Sequence, residues 1–288
     1  MRHFVACNPR SRCGDSLLLG INWVVAIDHV GACVPIAAKR QTASARSSSN
    51  TIAFCELKTH CACCSLRGLC LPIGLETDAL QQLDQLAFKR SRVKKGESLY
   101  RHGDTFTALY AIRIGTFKTL MLTEDGREQI TGYHMAGEMV GLDGISSDRY
   151  ACQATALEDG EVCVLPFDQL DDLAHNLTAL RRNLYRFIAN DICSGQDMML
   201  LLGSMRAEER LVLFLLDLAK RYRALGYSSC EFVLRMTREE TASYLGLKLE
   251  TVSRQFSRLQ QEGLIQVQGR AVKLIDLPAL KRLVGQHG

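Results

Sequence analysis

The chain has 288 residues, of which 47% are hydrophobic and 23% charged, a composition typical of a globular protein with room for two domains. No apolar run reaches the roughly 18 residues that span a bilayer, so we expect a cytoplasmic chain without a membrane partner. The net charge is only +4, but nine Lys or Arg against five Asp or Glu lie between Arg235 and Arg282, the same excess of four. This local excess hints at a phosphate-binding module near the C-terminus.

Residues 1–50 differ from the rest of the chain. They combine a short apolar run at 17–27 with the polar, Ser-rich stretch QTASARSSSN at 41–50. A serine-rich stretch of low hydrophobicity is typical of a linker. We treat 1–50 as an N-terminal extension of uncertain structure and leave it out of the fold prediction.

A Cys-rich segment follows at 51–75. Four of the twelve cysteines lie within the eleven residues HCACCSLRGLC at 60–70. In a reducing cytosol, clustered cysteines are more often metal ligands or redox centres than disulfides. The C-x2-C-x5-C spacing of Cys61, Cys64 and Cys70 by itself leaves zinc, an iron–sulfur cluster and plain packing open.

Residues 76–167 are predicted to form one β domain behind a short helix. Leucines at helical spacing predict the helix at 75–88, and short strand-like runs fill 92–165. Glycines punctuate these runs: Gly96, Gly103, Gly115, Gly126, Gly137 and Gly141. Short strands with turn residues about every ten positions predict a closed antiparallel β-roll or barrel.

Helix is predicted next, in the region 168–205. Between Asp168 and Gly203 there is no Pro, and Gly195 is the only Gly. Apolar or small residues recur at steps of four and three, a line that we call the seam: Ile188, Ile192, Gly195, Met199 and Leu202. A period of 3.5 residues is typical of a two-stranded coiled coil, so we favour a homodimer. The alternative is a helix that packs on its own β-roll.

Residues 206–288 carry the pattern of a winged helix-turn-helix. Thr237 and Glu240 form a capping box that starts a helix, and Gly246 provides the turn. A second helix runs from Leu249 to about Glu262, and its buried stripe is Val252, Phe256 and Leu259. The runs LIQVQ and AVKLI, separated by Gly269-Arg270, predict a hairpin wing.

The other face of the second helix predicts DNA readout. Glu250, Ser253 and Arg254 lie in the N-terminal half, the part that enters the major groove. Arginine can contact guanine through two hydrogen bonds, and glutamate can accept one from cytosine. Four further residues are better placed for phosphates: Thr251, Arg258, Arg270 and Lys273. The alternatives are a solvated polar face or a winged helix that contacts protein.

With these elements in place, residues 55–283 resemble the CRP/FNR superfamily of bacterial transcription regulators. LETVSRQFSRLQQEGLI is very similar to the family's recognition helix, and AEERL, QDMMLLL, EQITGYHMAGE and LYAIRIGT are FNR-like. The resemblance implies an α+β fold: a cyclic-nucleotide-binding-like β-roll sensory domain, a long dimerisation helix and a C-terminal winged helix-turn-helix. Glu-x-x-Ser-Arg at 250–254 is the FNR-branch variant, which implies a palindromic site resembling TTGAT-N4-ATCAA.

The resemblance also implies a ligand set for the cysteines. FNR proteins bind an oxygen-labile [4Fe–4S] cluster through C-x2-C-x5-C and one Cys late in the β-roll. Cys61, Cys64 and Cys70 match the first three, and Cys163 in EVCVLPF matches the fourth. Zinc is the main rival, since four cysteines also form structural zinc sites. We interpret Cys63 as a free thiol, and Cys152, Cys193 and Cys230 as packing residues.

Three positions depart from the family patterns. Leu142 follows Gly141 where cyclic-nucleotide members have an acidic ribose partner, so cyclic AMP binding is not expected. Gly195 stands on the seam where an acidic residue is usual. The stretch TEDGREQ at 123–129 aligns with a family loop that contacts RNA polymerase, but Arg127 occupies a position where an acidic residue is common.

We therefore expect an oxygen-sensing transcription regulator and not an enzyme. It would bind DNA as a homodimer when it carries the [4Fe–4S] cluster, and control anaerobic genes through RNA polymerase. One alternative is a family member that responds to haem, a small ligand or thiol oxidation, with zinc or free thiols in the Cys-rich segment. A redox enzyme or electron carrier is the other, but no second cofactor motif accompanies the cysteines.

Overall fold

The computed structural model describes residues 61–85, 89–122, 126 and 128–285. The predicted extension 1–50 and the start of the Cys-rich segment, including Cys55, lie outside the described residues, as does most of the loop 123–127. Among the described residues, no helix is both long and apolar enough to cross a membrane.

An antiparallel β-roll forms the first half of the described chain, as predicted. Helix α1, Thr77–Gln85, precedes it. Its strands are β1 Lys89–Val93, β2 Ser98–Tyr100, β3 Ala108–Ile114, β4 Phe117–Leu122, β5 Glu128–His134, β6 Met139–Val140, β7 Gln153–Ala156 and β8 Gly160–Pro166. They form two four-stranded sheets, ordered β1-β8-β3-β6 and β2-β7-β4-β5. Gly115 has φ 93°, and a Cβ there would lie 3.0 Å from the Cα of Gly160, so glycine is required where these turns meet.

Two helices follow where one helical region was predicted. Helix α2 spans Phe167–Asn176 and α3 spans Thr178–Ser204. Leu177, between them, is extended, with φ −113° and ψ 95°, and its side chain packs on the core of the β-roll. The extended, partly buried Leu177 thus separates the two helices and leaves α3 with 27 residues, about 40 Å long.

The second half of the chain is the predicted winged helix. Its elements are α4 Ala207–Ala224, β9 Glu231–Val233, α5 Arg238–Leu245, α6 Leu249–Gln261, β10 Ile265–Gln268, β11 Ala271–Leu274 and α7 Leu277–Leu283. The capping box is confirmed: the Glu240 N–H donates to Thr237 Oγ1 at 3.1 Å, and the Thr237 N–H donates to Glu240 Oε2 at 2.7 Å. Gly246 ends α5 with φ 60°. A third strand, β9, pairs with β11 of the hairpin, and helix α7 follows β11 along the chain. Neither β9 nor α7 was predicted.

Two hydrophobic cores hold these elements together. The first contains the interior of the β-roll, the end of the Cys-rich segment, α1, α2 and the N-terminal part of α3. The second joins the winged helix and α4 to an outer patch of the β-roll that includes Ile130, Tyr133 and Met135. Lys118 of β4 extends this contact with an ion pair of 2.7 Å to Glu240. The DNA-binding half therefore shares its core with the roll.

Arg210 ties the end of α3 to the helix-turn-helix. Its Nη2 donates to the carbonyl of Leu202 at 2.8 Å and its Nε to that of Met205 at 3.0 Å. Its Nη1 donates to the carbonyls of Leu245 and Gly246 at 3.1 and 3.4 Å. One guanidinium thus bonds to the end of one helix, the hinge after it and the turn before the recognition helix.

Candidate metal centre and nucleic-acid interface

The Cys-rich segment is wound into consecutive turns that place three of its cysteines. A short 3-10 turn spans Cys61–Cys63, and the Cys64 N–H donates to the carbonyl of Cys61 at 3.2 Å. The Cys70 N–H donates to the carbonyl of Leu66 at 2.9 Å. Asp84 of α1 accepts the Cys61 N–H at 2.6 Å. Cys61, Cys64 and Cys70 are each partly buried.

The fourth predicted ligand comes from the roll. Cys163 lies in β8, opposite Arg90 of β1 on one side and Ala111 of β3 on the other. Val162 and Leu165 of the same strand are buried in the core. Cys163 is partly buried and belongs to the residues packed against that core.

The four thiols lie close enough to influence one another. Burial raises the pKa of Cys61, and Asp84, Cys70, Cys163 and Cys64 raise it further. Burial also raises the pKa of Cys70 to about 12, with Cys163 and Cys64 adding to the effect. Buried thiols without a cation stay protonated, and a bound metal would favour the thiolates. Within the described residues, however, no three His, Cys, Asp or Glu side chains are arranged to hold a metal ion.

Two guanidinium groups flank Cys163. Arg113 Nη1 lies 2.8 Å and Arg90 Nε 3.7 Å from Glu161 Oε1. The Nε atoms of both arginines are buried and make no hydrogen bond. Burial raises the pKa of Cys163, while Arg90 and Arg113 oppose the rise. Thiols near Cys163 and positive charge that is shared with Glu161 fit an anionic, sulfur-rich group in their chemistry, although the described side chains are not arranged to hold a metal ion.

The remaining described cysteines differ from one another. Cys63 is exposed, as expected of a free thiol. Cys152 is buried, as predicted, and its thiol lies 3.3 Å from Asp143 Oδ2. Cys230 is partly buried. Cys193 is exposed on α3, so its interpretation as a packing residue was wrong.

Aromatic side chains fill the interior of the roll. Tyr150 stacks on Tyr100 with ring centroids 3.9 Å apart, and Phe106 meets the edge of Tyr150 at 5.4 Å. The Tyr150 hydroxyl donates to the carbonyl of Ala108 at 2.7 Å. Arg149 points away to the carbonyl of Gly103. These rings pack inside the roll, and the expectation that it does not bind cyclic AMP stays a prediction.

The residues at the centre of the seam are exposed to solvent, and those at its two ends pack against other parts of the chain. Ile192 and Met199 are 56% and 68% exposed, and Gly195 between them is exposed as well. Ile188 packs against the core of the roll. At the other end, a Cβ on Gly246 would lie 2.9 Å from Leu202 Cδ2. The N-terminal part of α3 thus packs on the roll, as the alternative interpretation expected, whereas the homodimer along the exposed centre stays a prediction.

The predicted base-reading residues share one exposed face of α6. Glu250, Ser253 and Arg254 are all exposed. The opposite face carries the predicted stripe of Val252, Phe256 and Leu259, which is buried. Between α5 and α6, Gly246 makes the left-handed turn that orients the second helix.

The four predicted phosphate contacts are less alike. Arg258 is exposed but ion-paired to Glu208 at 3.3 Å and Glu262 at 2.9 Å. Lys273 lies 4.0 Å from Glu231. Exposed Arg270 at the wing and partly buried Thr251 on α6 complete the set.

The sequence interpretation missed Arg238, the first residue of α5. Its guanidinium lies 3.4 Å from the ring centroid of Phe256, and burial lowers its pKa. Among the described residues, this guanidinium forms no ion pair. The helix dipole disfavours a cation at this position.

Comparisons with known proteins match both halves of the chain. A sequence model of the cyclic nucleotide-binding domain matches residues 90–176, and one of the Crp-like helix-turn-helix domain matches residues 209–283. Among solved structures, that of FixK2 from Bradyrhizobium japonicum superposes with a TM-score of 0.64 at 30% identity, over 69% of this chain and 98% of that one.

Curated relatives match over most of their own length. The transcriptional regulatory protein btr of Bordetella pertussis is 47% identical, over 79% of this chain and 94% of that protein. The transcriptional activator protein anr of Pseudomonas aeruginosa is 45% identical, over 79% and 93%. The fumarate and nitrate reduction regulatory protein of Escherichia coli is 42% identical, over 78% and 90%.

Proposed function

Because the chain belongs to the FNR branch of the CRP/FNR family of transcription regulators, we propose that it is an oxygen-sensing regulator of anaerobic gene expression. The family and the Crp-like domain make it a DNA-binding regulator and not an enzyme. The proposal adds a [4Fe–4S] cluster, a homodimer, a cytoplasmic location and a palindromic site resembling TTGAT-N4-ATCAA. The observation that carries it is the 42–47% identity to regulators of the FNR branch over most of their length.

In this proposal Cys61, Cys64, Cys70 and Cys163 hold the cluster. When bound, the cluster supplies an oxygen-labile link between the Cys-rich segment and β8. Arg90 and Arg113 offer buried N–H groups and positive charge beside Cys163, and such neighbours tune iron–sulfur centres.

The dimer would form along the free part of α3. Exposed Ile192 and Met199 would pack across the axis, with Gly195 allowing close approach of the two helices. A residue without a side chain adds no charge at the axis, so we expect Gly195 to favour the dimer. Two α6 helices in such a dimer would enter major grooves about one helical turn, ~34 Å, apart.

DNA contacts divide into readout and positioning. Arg254, Glu250 and Ser253 would read base edges from the exposed face of α6. Thr251, Arg258, Arg270 and Lys273 would contact phosphates, and we add Arg238, whose guanidinium is oriented by the Phe256 ring. Arg258 would have to break its ion pairs with Glu208 and Glu262 to reach a phosphate. We therefore expect it to contribute least to DNA affinity among these residues. Contact with RNA polymerase through 123–129 stays a prediction, since most of that loop lies outside the described residues.

The test is a spectrum of anaerobically purified protein before and after air. We expect a broad sulfur-to-iron absorption band, with iron and acid-labile sulfide in matched amounts, that bleaches or changes shape within minutes of exposure to air. A colourless protein that contains zinc or no metal would overturn the oxygen-sensing proposal. It would favour a regulator with another effector, and DNA binding would be unaffected.

A further inference from the structure

A single buried amide joins the Cys-rich segment to α3. Asn183 is 5% exposed and is the only Asn or Gln among the buried polar residues of the described chain. Its Nδ2 donates to the carbonyl of Leu71 at 2.9 Å and to that of Ile73 at 2.7 Å. These carbonyls follow directly after Cys70, and they lie 112 and 110 residues away along the chain.

The surroundings of this amide are apolar. Leu71 and Leu75 of the segment are each 2% exposed, and Leu180 and Leu184 of α3 belong to the same core. A carbonyl or an amide left without a partner in such a place is strongly disfavoured. The Asn183 contact therefore adds a polar constraint on the relative position of the segment and α3 to the apolar packing between them.

The same stretch of α3 leads into the seam. Tyr185, two residues after Asn183, is 61% exposed. Ile188 packs on the core of the roll, and Ile192, one turn further, is free. Because a helix transmits rotation along its axis, a change at Asn183 reorients the residues that would meet across a dimer.

We propose that Asn183 is the positioning residue that couples the Cys-rich segment to the dimer helix. This inference rests on the proposed function. Release of the segment from Cys163 draws Leu71 and Ile73 away from Asn183, which then has to turn toward water. The N-terminal part of α3 shifts, and the dimer weakens because the seam loses its register. Coupling of this kind changes a dimerisation constant by about tenfold.

The experiment compares Asn183→Asp with Asn190→Asp on the full chain. Asp has nearly the shape of Asn but presents oxygens to the two carbonyls, so the contact fails. Asn190 is exposed on the same helix and serves as the matched control. The dimerisation constant is measured by sedimentation before and after air, with the visible spectrum and hydrogen exchange of the 61–75 peptide alongside.

We expect both variants to acquire the cluster. In the control and the wild type, air should weaken the dimer by about tenfold or more, whereas in Asn183→Asp the constants before and after air should agree within about twofold. Exchange in 61–75 should be faster in Asn183→Asp. An air response equal to that of the control would overturn the inference.

Two further measurements keep the inference testable. If the wild type shows no cluster, the proposed function fails. The role of Asn183 is then tested by hydrogen exchange of 61–75 in the metal-free chain. Exchange rates in Asn183→Asp equal to those of the Asn190→Asp control would overturn its positioning role. If Asn183→Asp does not fold, Asn183→Leu replaces it. Asn183→Gln keeps the amide, and partial recovery of the air response is expected; no recovery would count against the inference.

Discussion

The winged helix and the half that contains the Cys-rich segment differ in how far apart along the chain their contacting residues lie. In the winged helix, Thr237 bonds to Glu240 three residues away, and Gly246 turns the chain within a single residue. In the sensing half, the Cys-rich segment depends on Asp84, 23 residues from Cys61, and on Asn183, more than 100 residues from its partners. The helix-turn-helix is thus shaped largely by contacts between near neighbours in sequence, whereas the Cys-rich segment is held by contacts with residues far away along the chain.

The sharpest test of this difference is Cys163→Ser. We expect complete loss of the iron–sulfur absorption with little change in the free energy of unfolding, because the partly buried thiol contributes little packing. Absorption, iron content and urea unfolding measure both effects. Cys193→Ser, on the exposed surface of α3, should keep the cluster. Retention of full absorption in Cys163→Ser would remove Cys163 from the ligand set.

Phe256→Ala tests whether the DNA-reading half is truly separate. The side chain is 4% exposed, and its loss should lower the free energy of unfolding by about 3–5 kcal/mol. Because Tyr133 and Met135 of the roll share the second core, we expect the roll to be destabilised in the same denaturant transition. Exposed Ser257→Ala is the control. Two separate transitions would show that the halves unfold independently.

Arg254→Ala tests local readout. We expect a loss of about 1–3 kcal/mol in binding to the palindrome, confined to one base pair of each half-site. Fluorescence anisotropy at fixed salt, with single-base variants of the site, measures it. Lys220→Ala removes the same charge from an exposed position on α4 and should change affinity far less. A uniform loss on all sequences would assign Arg254 to phosphate instead.

Arg90→Gln tests the electrostatic surroundings of Cys163. Loss of a positive charge and a buried N–H beside this cysteine should make cluster loss in air about tenfold faster. Arg92, exposed on the same strand, provides the control Arg92→Gln. The rate of bleaching in air-saturated buffer is the measurement, and equal rates for the two variants would leave Arg90 without this role.

The smallest change in the free energy of unfolding is expected where the β-roll contacts the DNA-binding half. Burial, with help from the Arg221 guanidinium, lowers the pKa of His134 to about 3, and Thr119 Oγ1 lies 3.1 Å from its Nε2. The folded pKa is below that of the unfolded chain, so this stability is complete above pH 6.5 and is lost as pH falls toward 3. At pH 6 the loss is on the order of 1 kcal/mol.

His134→Gln should therefore flatten the decline in stability between pH 7 and pH 5. Urea unfolding at a series of pH values measures it, and exposed His102→Gln should keep the wild-type slope. Parallel curves for all three proteins would mean that His134 does not carry the acid sensitivity.

The local features of the fold were predictable and the long-range ones were not. The capping box at Thr237, the turn at Gly246 and the buried stripe of α6 are confirmed, because each is a relation between near neighbours. The break at Leu177 was missed, since it depends on burial of that side chain against the roll. Strand β9 has only three residues, too few to show alternation.

The candidate site divides in the same way. Spacing and resemblance predicted three cysteines in the segment and Cys163 in the roll, and this ligand set stays a prediction, since the described side chains are not arranged to hold a metal ion. Arg90, Arg113 and Asn183 could not be found, because their importance depends on pairing across strands and on burial. No sequence pattern connects Asn183 to Leu71.

Arg210 has a consequence for the promoters that this protein recognises. One side chain bonds to carbonyls of α3, the hinge and the turn at Gly246, so it helps to fix the angle between α3 and α6. A base change in a half-site lowers the binding free energy by about 1–3 kcal/mol. A site with one such change can still be bound. Insertion of one base pair in the spacer rotates a half-site by about 34°, which a bonded hinge cannot follow. Spacer length should therefore be the slowest-evolving feature of its target sites.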